Sequence, residues 1–465
     1  MKNRSDFAYQ AVYRYLVRLI SEVQTNPAKK LPSLRQLARR LRVSISTVQS
    51  AYSLLEEEGR VRAVPKSGYF ALPVTGDMNP QPSACDDNLL QGFHHHARRP
   101  GMKVLGHDEP TLLQSIEVPL LAVERELLRH CPRPLDPGFQ PFGDLELRKA
   151  LAARYTRDAT HCWYPENVYL GPDAPGMLKA VIDTLKLRGA TVLVESPCCW
   201  IQLRLLHSLG VRVLELPMDE SGSVELTRLA QLLLENHIAL ALLSSSFNPV
   251  SGNALPPLNL EAMLRLLDRH RVWVLENDSH GELAFVTGRL RPRDLIDPQR
   301  LLILGAFDKA LSLETPYGYL LCQQFDARWQ QYFLLRAHQL PPLRQKAIAR
   351  LCASGRLGLH LRELRGLLSQ RVHAMERLLE RDLGRLLTFE RPVGGGAIWA
   401  RSIHPVDMRQ VFELLLTQRI VVTPGELFSL SGRYSQHLRI ACTDWHDQLP
   451  GSLRELARAL KAART

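Results

Sequence analysis

The sequence predicts a two-part protein: a small basic head of helices closed by a hairpin, then a large α/β body, its mostly parallel sheet covered by helices on both faces. A smaller α+β subdomain ends the chain. Three observations lead there. The 465 residues exceed one ordinary core; positive charge is concentrated at the start; and from about residue 107 short apolar runs alternate with helix-length amphipathic segments. The boundaries this suggests are 1–72 for the head, 73–106 for a linker, 107–340 for the large domain and 341–465 for the small one.

Composition narrows the class. The chain is 45% hydrophobic and 23% charged, as soluble globular chains are. It has no apolar run of bilayer length, and its first residues mix charges with aromatics instead of building a signal-peptide core. A cytoplasmic protein is expected. Its 8 cysteines follow neither a disulfide framework nor a metal-ligand spacing, and are read as reduced thiols.

The net charge is +12, and residues 1–70 carry 13 Lys/Arg against 5 acids, so two thirds of the excess lies in that short segment. Such concentration suits a phosphate backbone, whose counterions are released on binding. Within "LPSLRQLARRLRVSISTVQSAYSLLEEEG", Leu34, Leu37, Ala38 and Leu41 form one helical stripe, and Val48, Ala51, Tyr52 and Leu55 a second. Ser33 and Gln36 have capping-box spacing, and Ser44 is placed to cap the second helix. So short a connection makes a helix-turn-helix. The second helix turns Ser46, Thr47, Gln49 and Ser50 outward, groups suited to base edges and phosphates. "RVRAV", "PKSG" and "YFAL" then read as a basic hairpin.

"LPSLRQLA", "VSISTVQSAYSLLEEEG" and "PKSGYF" together resemble the winged helix of GntR-type bacterial regulators. The resemblance implies DNA contacts from Ser33, Arg35, Ser44, Ser46, Thr47, Gln49, Lys66, Ser67 and Gly68. That family often has arginine where this chain has Ile45 and Gln49, which implies a different base preference.

The stretch 73–106 is rich in Pro, Asp and Asn and reads as linker. His94, His95 and His96 fall within it. Consecutive loop histidines cannot converge on one ion, so no metal site is expected.

In the body, "TVLVES", "IALALLSS", "VWVLEN" and "RLLILGAF" are the expected buried strands. "DPGFQPFGDLELRKALAARY", "VESPCCW", "SSSFNPVSG", "VLENDSHGEL", "GAFDKALS" and "HLRIACT" are similar, in order, to segments of fold-type I aminotransferases. A GntR-like head before such a body resembles the MocR subfamily of transcriptional regulators. That implies pyridoxal 5'-phosphate as cofactor, an amino compound as effector, a homodimer and double-stranded DNA as partner. The carried-over roles are a Schiff base at Lys309, a ring-oxygen contact from Asn248, Asn277 beneath the pyridine, Trp200 or Cys199 against the ring, and Arg439 on a ligand carboxylate.

The chain departs from the pattern where the cofactor is most demanding. Asn277 replaces the aspartate that keeps the pyridine protonated. Asp308 replaces the Ser or Thr before the lysine, Pro316 replaces an arginine, and "GPDAPG" puts Asp173 and two prolines where N–H groups would cup a phosphate. A carboxylate about 5 Å from a phosphate opposes each unit of charge by roughly 3 kcal/mol at an effective dielectric near 20. The expected reading is a regulator whose cofactor site is eroded, with no catalytic residue assigned. A working aminotransferase with a DNA-binding appendage, and a pseudoenzyme sensing a different ligand, remain as alternatives.

Overall fold

The computed structural model describes residues 12, 15–16, 31–41, 43–57, 61–64, 68–71, 87–97, 99, 101–106, 109–130, 140–219, 222–336, 340–445 and 448–464. It divides into two compact units, 1–82 and 83–465.

In the first unit, helices Leu34–Leu41 and Ile45–Glu57 precede strands β1 (Val61–Val64) and β2 (Gly68–Ala71), paired antiparallel. The first helix starts on the reciprocal box its spacing implies: Gln36 N–H donates to Ser33 Oγ at 3.3 Å, and Ser33 N–H to Gln36 Oε1 at 3.0 Å. Leu37, Val48, Ala51, Tyr52 and Leu55 form its core with Val61. Tyr52 joins the wing to the second helix, stacking on Tyr69 at 4.1 Å and donating to Pro32 O at 2.6 Å.

The second unit holds a seven-stranded sheet of β4 (Val168–Gly171), β5 (Thr191–Val194), β6 (Arg212–Glu215), β7 (Ile238–Ser244), β8 (Trp273–Asn277), β9 (Leu301–Ala306) and β10 (Gly318–Cys322), in order β4-β10-β9-β8-β7-β5-β6. β5 to β9 are mutually parallel, and β10 runs against both neighbours. Period-2 alternation makes two cores from the same strands. Leu193, Leu243, Val274 and Ile303 meet one layer of helices, whereas Val194, Leu242, Leu275 and Leu304 meet the other, with Trp329 and Phe333 fully buried there.

The small domain packs β11 (Leu387–Phe389), β12 (Ala397–Ser402), β14 (Thr423–Pro424) and β15 (His437–Ala441) in an antiparallel sheet ordered β11-β12-β15-β14 against the end of the long helix Arg356–Leu383. The reading of 73–106 as aperiodic linker needs correction at its end. Asp87–Ala97 is a helix, and Leu89 and Phe93, four residues apart, bury one stripe in the small-domain core. The three histidines therefore lie in a helical last turn and not on a loop. β3 (Lys103–Val104) then pairs parallel with β13 (Ile420–Val421). Among the described residues, no helix is long and apolar enough to cross a membrane, and no cluster of three potential metal ligands occurs.

Candidate functional site

In the head, Ser44 is the cap of the second helix. Its Oγ accepts from Thr47 N–H at 3.1 Å and lies 2.7 Å from Thr47 Oγ1 and 2.8 Å from Ser46 Oγ. Capping orders the first turn and leaves a cluster of hydroxyls at the helix N-terminus, where backbone N–H groups and the dipole favour phosphate. Ser33, Arg35, Ser44, Ser46 and Gln49 are exposed, Thr47 is half-buried, and Ile45 is 48% exposed on the same helix. Lys66 and Ser67 lie outside the described residues; Gly68 opens β2.

In the body, Glu195, Asn248, Asn277 and Lys309 follow or end β5, β7, β8 and β9, so the cleft opens at the carboxyl ends of the parallel strands, where α/β sheets place ligands. Arg439 enters from β15 of the small domain.

Each of these groups is already committed within the chain. Lys309 Nζ donates to Glu109 Oε1 at 2.6 Å and has Asp308 Oδ2 at 3.8 Å. Burial pushes the Asp308 carboxyl up; Lys309 pulls it down and Glu109 adds to the rise. Asn248 uses its whole amide: Nδ2 donates to Glu195 Oε1 at 3.1 Å and Pro197 O at 2.8 Å, while Oδ1 accepts from Val250 and Ser251 N–H. Arg439 donates to the carbonyls of Pro249 at 3.2 Å, Val250 at 3.4 Å and Gly106 at 3.5 Å. Asn277 Oδ1 accepts from Ser279 N–H at 3.2 Å. Trp200 opens the helix Trp200–Ser208 and packs edge-on to His94, centroids 4.9 Å apart; Cys199, not Trp200, borders the slot beside Asn277.

Behind the strand ends lies a buried ion network. Arg293 pairs with Glu276 at 2.5 Å and Asp278 at 2.7 Å, and Tyr155 donates to Asp278 at 2.6 Å. Burial alone would raise the Asp278 carboxyl, but Arg293 and Arg291 outweigh it and hold it at about 2. Asp278, the residue after β8, is thus committed to Arg293 and Tyr155 and does not line the slot that Asn277 borders.

The residues do not fit pyridoxal phosphate. The slot bounded by Cys199, Asn248 and Asn277 has a volume of about 10 Å³, room for no more than one water. Glu195 lines it, anchored by Asn248 and by Ser244 N–H at 2.7 Å. At the anion cup, Asp173 Oδ1 accepts from Gly176 N–H at 2.6 Å, so the chain's own carboxylate caps the helix Ala174–Thr184 where a phosphate would bind. Asp173, Asp308 and Asn277 were legible as departures. Glu109 and Glu195 carry no local sequence signal for their roles: Glu109 is 200 positions from its partner, and Glu195 meets Asn248 only in the fold.

Fold and site together define a nucleic-acid-binding winged helix joined to an aminotransferase fold. Residues 109–450 match the model of aminotransferase class I and II, and residues 8–70 that of bacterial regulatory proteins of the gntR family. The chain belongs to the class I and II aminotransferase family, and with the gntR head it is a transcriptional regulator of the MocR subfamily. It is 26% identical to the uncharacterized HTH-type transcriptional regulator YjiR of Escherichia coli, over 93% of this chain and 94% of that one. It is 25% identical to the HTH-type pyridoxine biosynthesis transcriptional regulator PdxR of Corynebacterium glutamicum, over 82% of this chain and 80% of that one. Among solved structures, LysN, an alpha-aminoadipate aminotransferase from Thermus thermophilus, superposes with a TM-score of 0.69 at 21% identity, covering 82% of this chain and 96% of that one, which shows the fold alone. That fold family normally binds pyridoxal phosphate.

Proposed function

We propose that this regulator binds duplex DNA as a cytoplasmic homodimer, that its body serves for assembly and ligand sensing, and that it has no transaminase turnover. Arg35 and Lys66 anchor backbone phosphates. Ser33, the hydroxyls of Ser44, Ser46 and Thr47, and the wing tip at Ser67 and Gly68 add further contacts, while Gln49 and Thr47 read base edges.

The observation that carries the regulatory reading of the body is the Lys309–Glu109 ion pair, in a cleft whose cup is capped by Asp173. Turnover needs a deprotonated, accessible amine and a protonated electron-sink ring. Here the Lys309 side chain is ion-paired with Glu109 and lies beside Asp308, and an amide, Asn277, stands where a pyridinium needs an anion. On this reading Arg439 braces the turn after β7 and does not grip a substrate.

The test combines two assays on the full chain. Duplex affinity is measured across a salt series, and amino-group transfer is measured with added pyridoxal phosphate. Steeply salt-dependent duplex binding without transfer supports the proposal; brisk transfer, or no binding to any duplex, contradicts it.

A further inference from the structure

We infer a second ligand site, beside the eroded cleft, that takes a zwitterionic amino carboxylate with an apolar body. The inference goes beyond the regulator reading and does not depend on it. A cavity of about 380 Å³ opens between the end of β7, the helix Pro257–Arg269 and the segment 288–290. That volume lies within the range of small-molecule sites. Leu243, Leu255, Leu260, Met263 and Leu290 line it, and neither Lys309 nor Asn277 does.

Three polar groups at this cavity point to the ligand's chemistry. Ser246 is 4% exposed, and its Oγ has no hydrogen-bond partner among the described residues. Arg289, also at the wall, has a buried Nε without a partner among them. Native interiors rarely leave such donors unmet, because a buried donor that gives up water without gaining a partner is destabilising. The third group is Glu195, whose oxygens accept from Ser244 N–H and Asn248 Nδ2 and keep further lone pairs.

A carboxylate satisfies Arg289 and Ser246 together. A bare anion is opposed by Glu195, a bare cation by Arg289, and a neutral apolar molecule leaves Ser246 and Arg289 unmet. A molecule carrying both charges matches the two ionic groups, and its apolar body covers the leucines and Met263. An α-amino acid with an aliphatic side chain is the smallest molecule of that description.

Calorimetric titration of the full chain, without DNA, with L-leucine, isovalerate and isoamylamine tests the assignment. Expected is saturable L-leucine binding, with both half-molecules at least about tenfold weaker. Ser246→Ala and Arg289→Gln should each weaken L-leucine by about tenfold or more, as for hydrogen bonds to a charged group. Leu290→Trp, which fills the chamber, should abolish it; the unliganded melting temperature of each variant reports that it folds. No L-leucine binding, equal binding of isovalerate, or indifference to both Ser246→Ala and Arg289→Gln overturns the site. Duplex binding by the same variants, read separately, shows whether the regulator reading stands.

Discussion

Lys309 Nζ lies 2.6 Å from Glu109 Oε1, so the amine at the Schiff-base position is engaged by a carboxylate brought from the start of the body. Undoing the hostile charges should therefore restore cofactor affinity stepwise. At about 5 Å and an effective dielectric near 20, each acid costs roughly 3 kcal/mol per unit of phosphate charge, about a hundredfold. Asp173→Ser with Asp308→Ser should bind pyridoxal phosphate more tightly than the parent, and adding Glu109→Gln should make binding tighter again. Equal Kd values across the series would show that charge is not what blocks the site.

Arg35→Ala and Lys66→Ala should weaken duplex binding about equally on all sequences and reduce the slope of log affinity against log salt by about one each. Gln49→Ala should change which sequence is preferred while leaving that slope nearly unaltered. Selection from a random duplex pool measures the preference, and an unchanged preference removes Gln49 from base reading.

Removing Arg293 takes from buried Glu276 its paired cation and leaves buried Asp278 only the more distant Arg291, at 3.9 Å. Breaking a buried pair by deleting one partner costs about 3–5 kcal/mol. Arg293→Met should lower the melting temperature of the body sharply, and Asp278→Asn should recover part of the loss. A melting temperature equal to the parent's would mean the network is not structural.

His437 stacks on Trp399, and burial, helped by Arg401, lowers its pKa from 6.5 to about 4. In that window the unfolded chain takes up a proton that the folded chain refuses. The stability contributed by neutral His437 is complete above pH 6.5 and is lost as pH falls toward about 4. His437→Phe should flatten that part of a melting-temperature profile; parallel profiles would count against a buried neutral imidazole.

The head was legible because its signals are local: the Ser33–Gln36 box, two 3.6-period stripes and the hairpin all lie within about 40 residues, and local chemistry fixes them. In the body, the strands showed as apolar runs and the collinear segments gave the fold. The helix Asp87–Ala97 was hidden by the Pro- and Asp-rich text before it, and only the burial of Leu89 and Phe93 in the small domain explains it. The departures at Asp173, Asn277, Asp308 and Pro316 could be read singly. Their outcome could not, since Glu109 reaches Lys309 and Glu195 reaches Asn248 only through long-range packing.

An absorbance titration of the full chain with pyridoxal phosphate, run beside Lys309→Ala, tests most directly whether the body has left cofactor chemistry. The two proteins should give the same spectra, those of free pyridoxal phosphate. A saturable violet band in the parent that the Lys309→Ala variant lacks would show a working Schiff-base site and contradict the account.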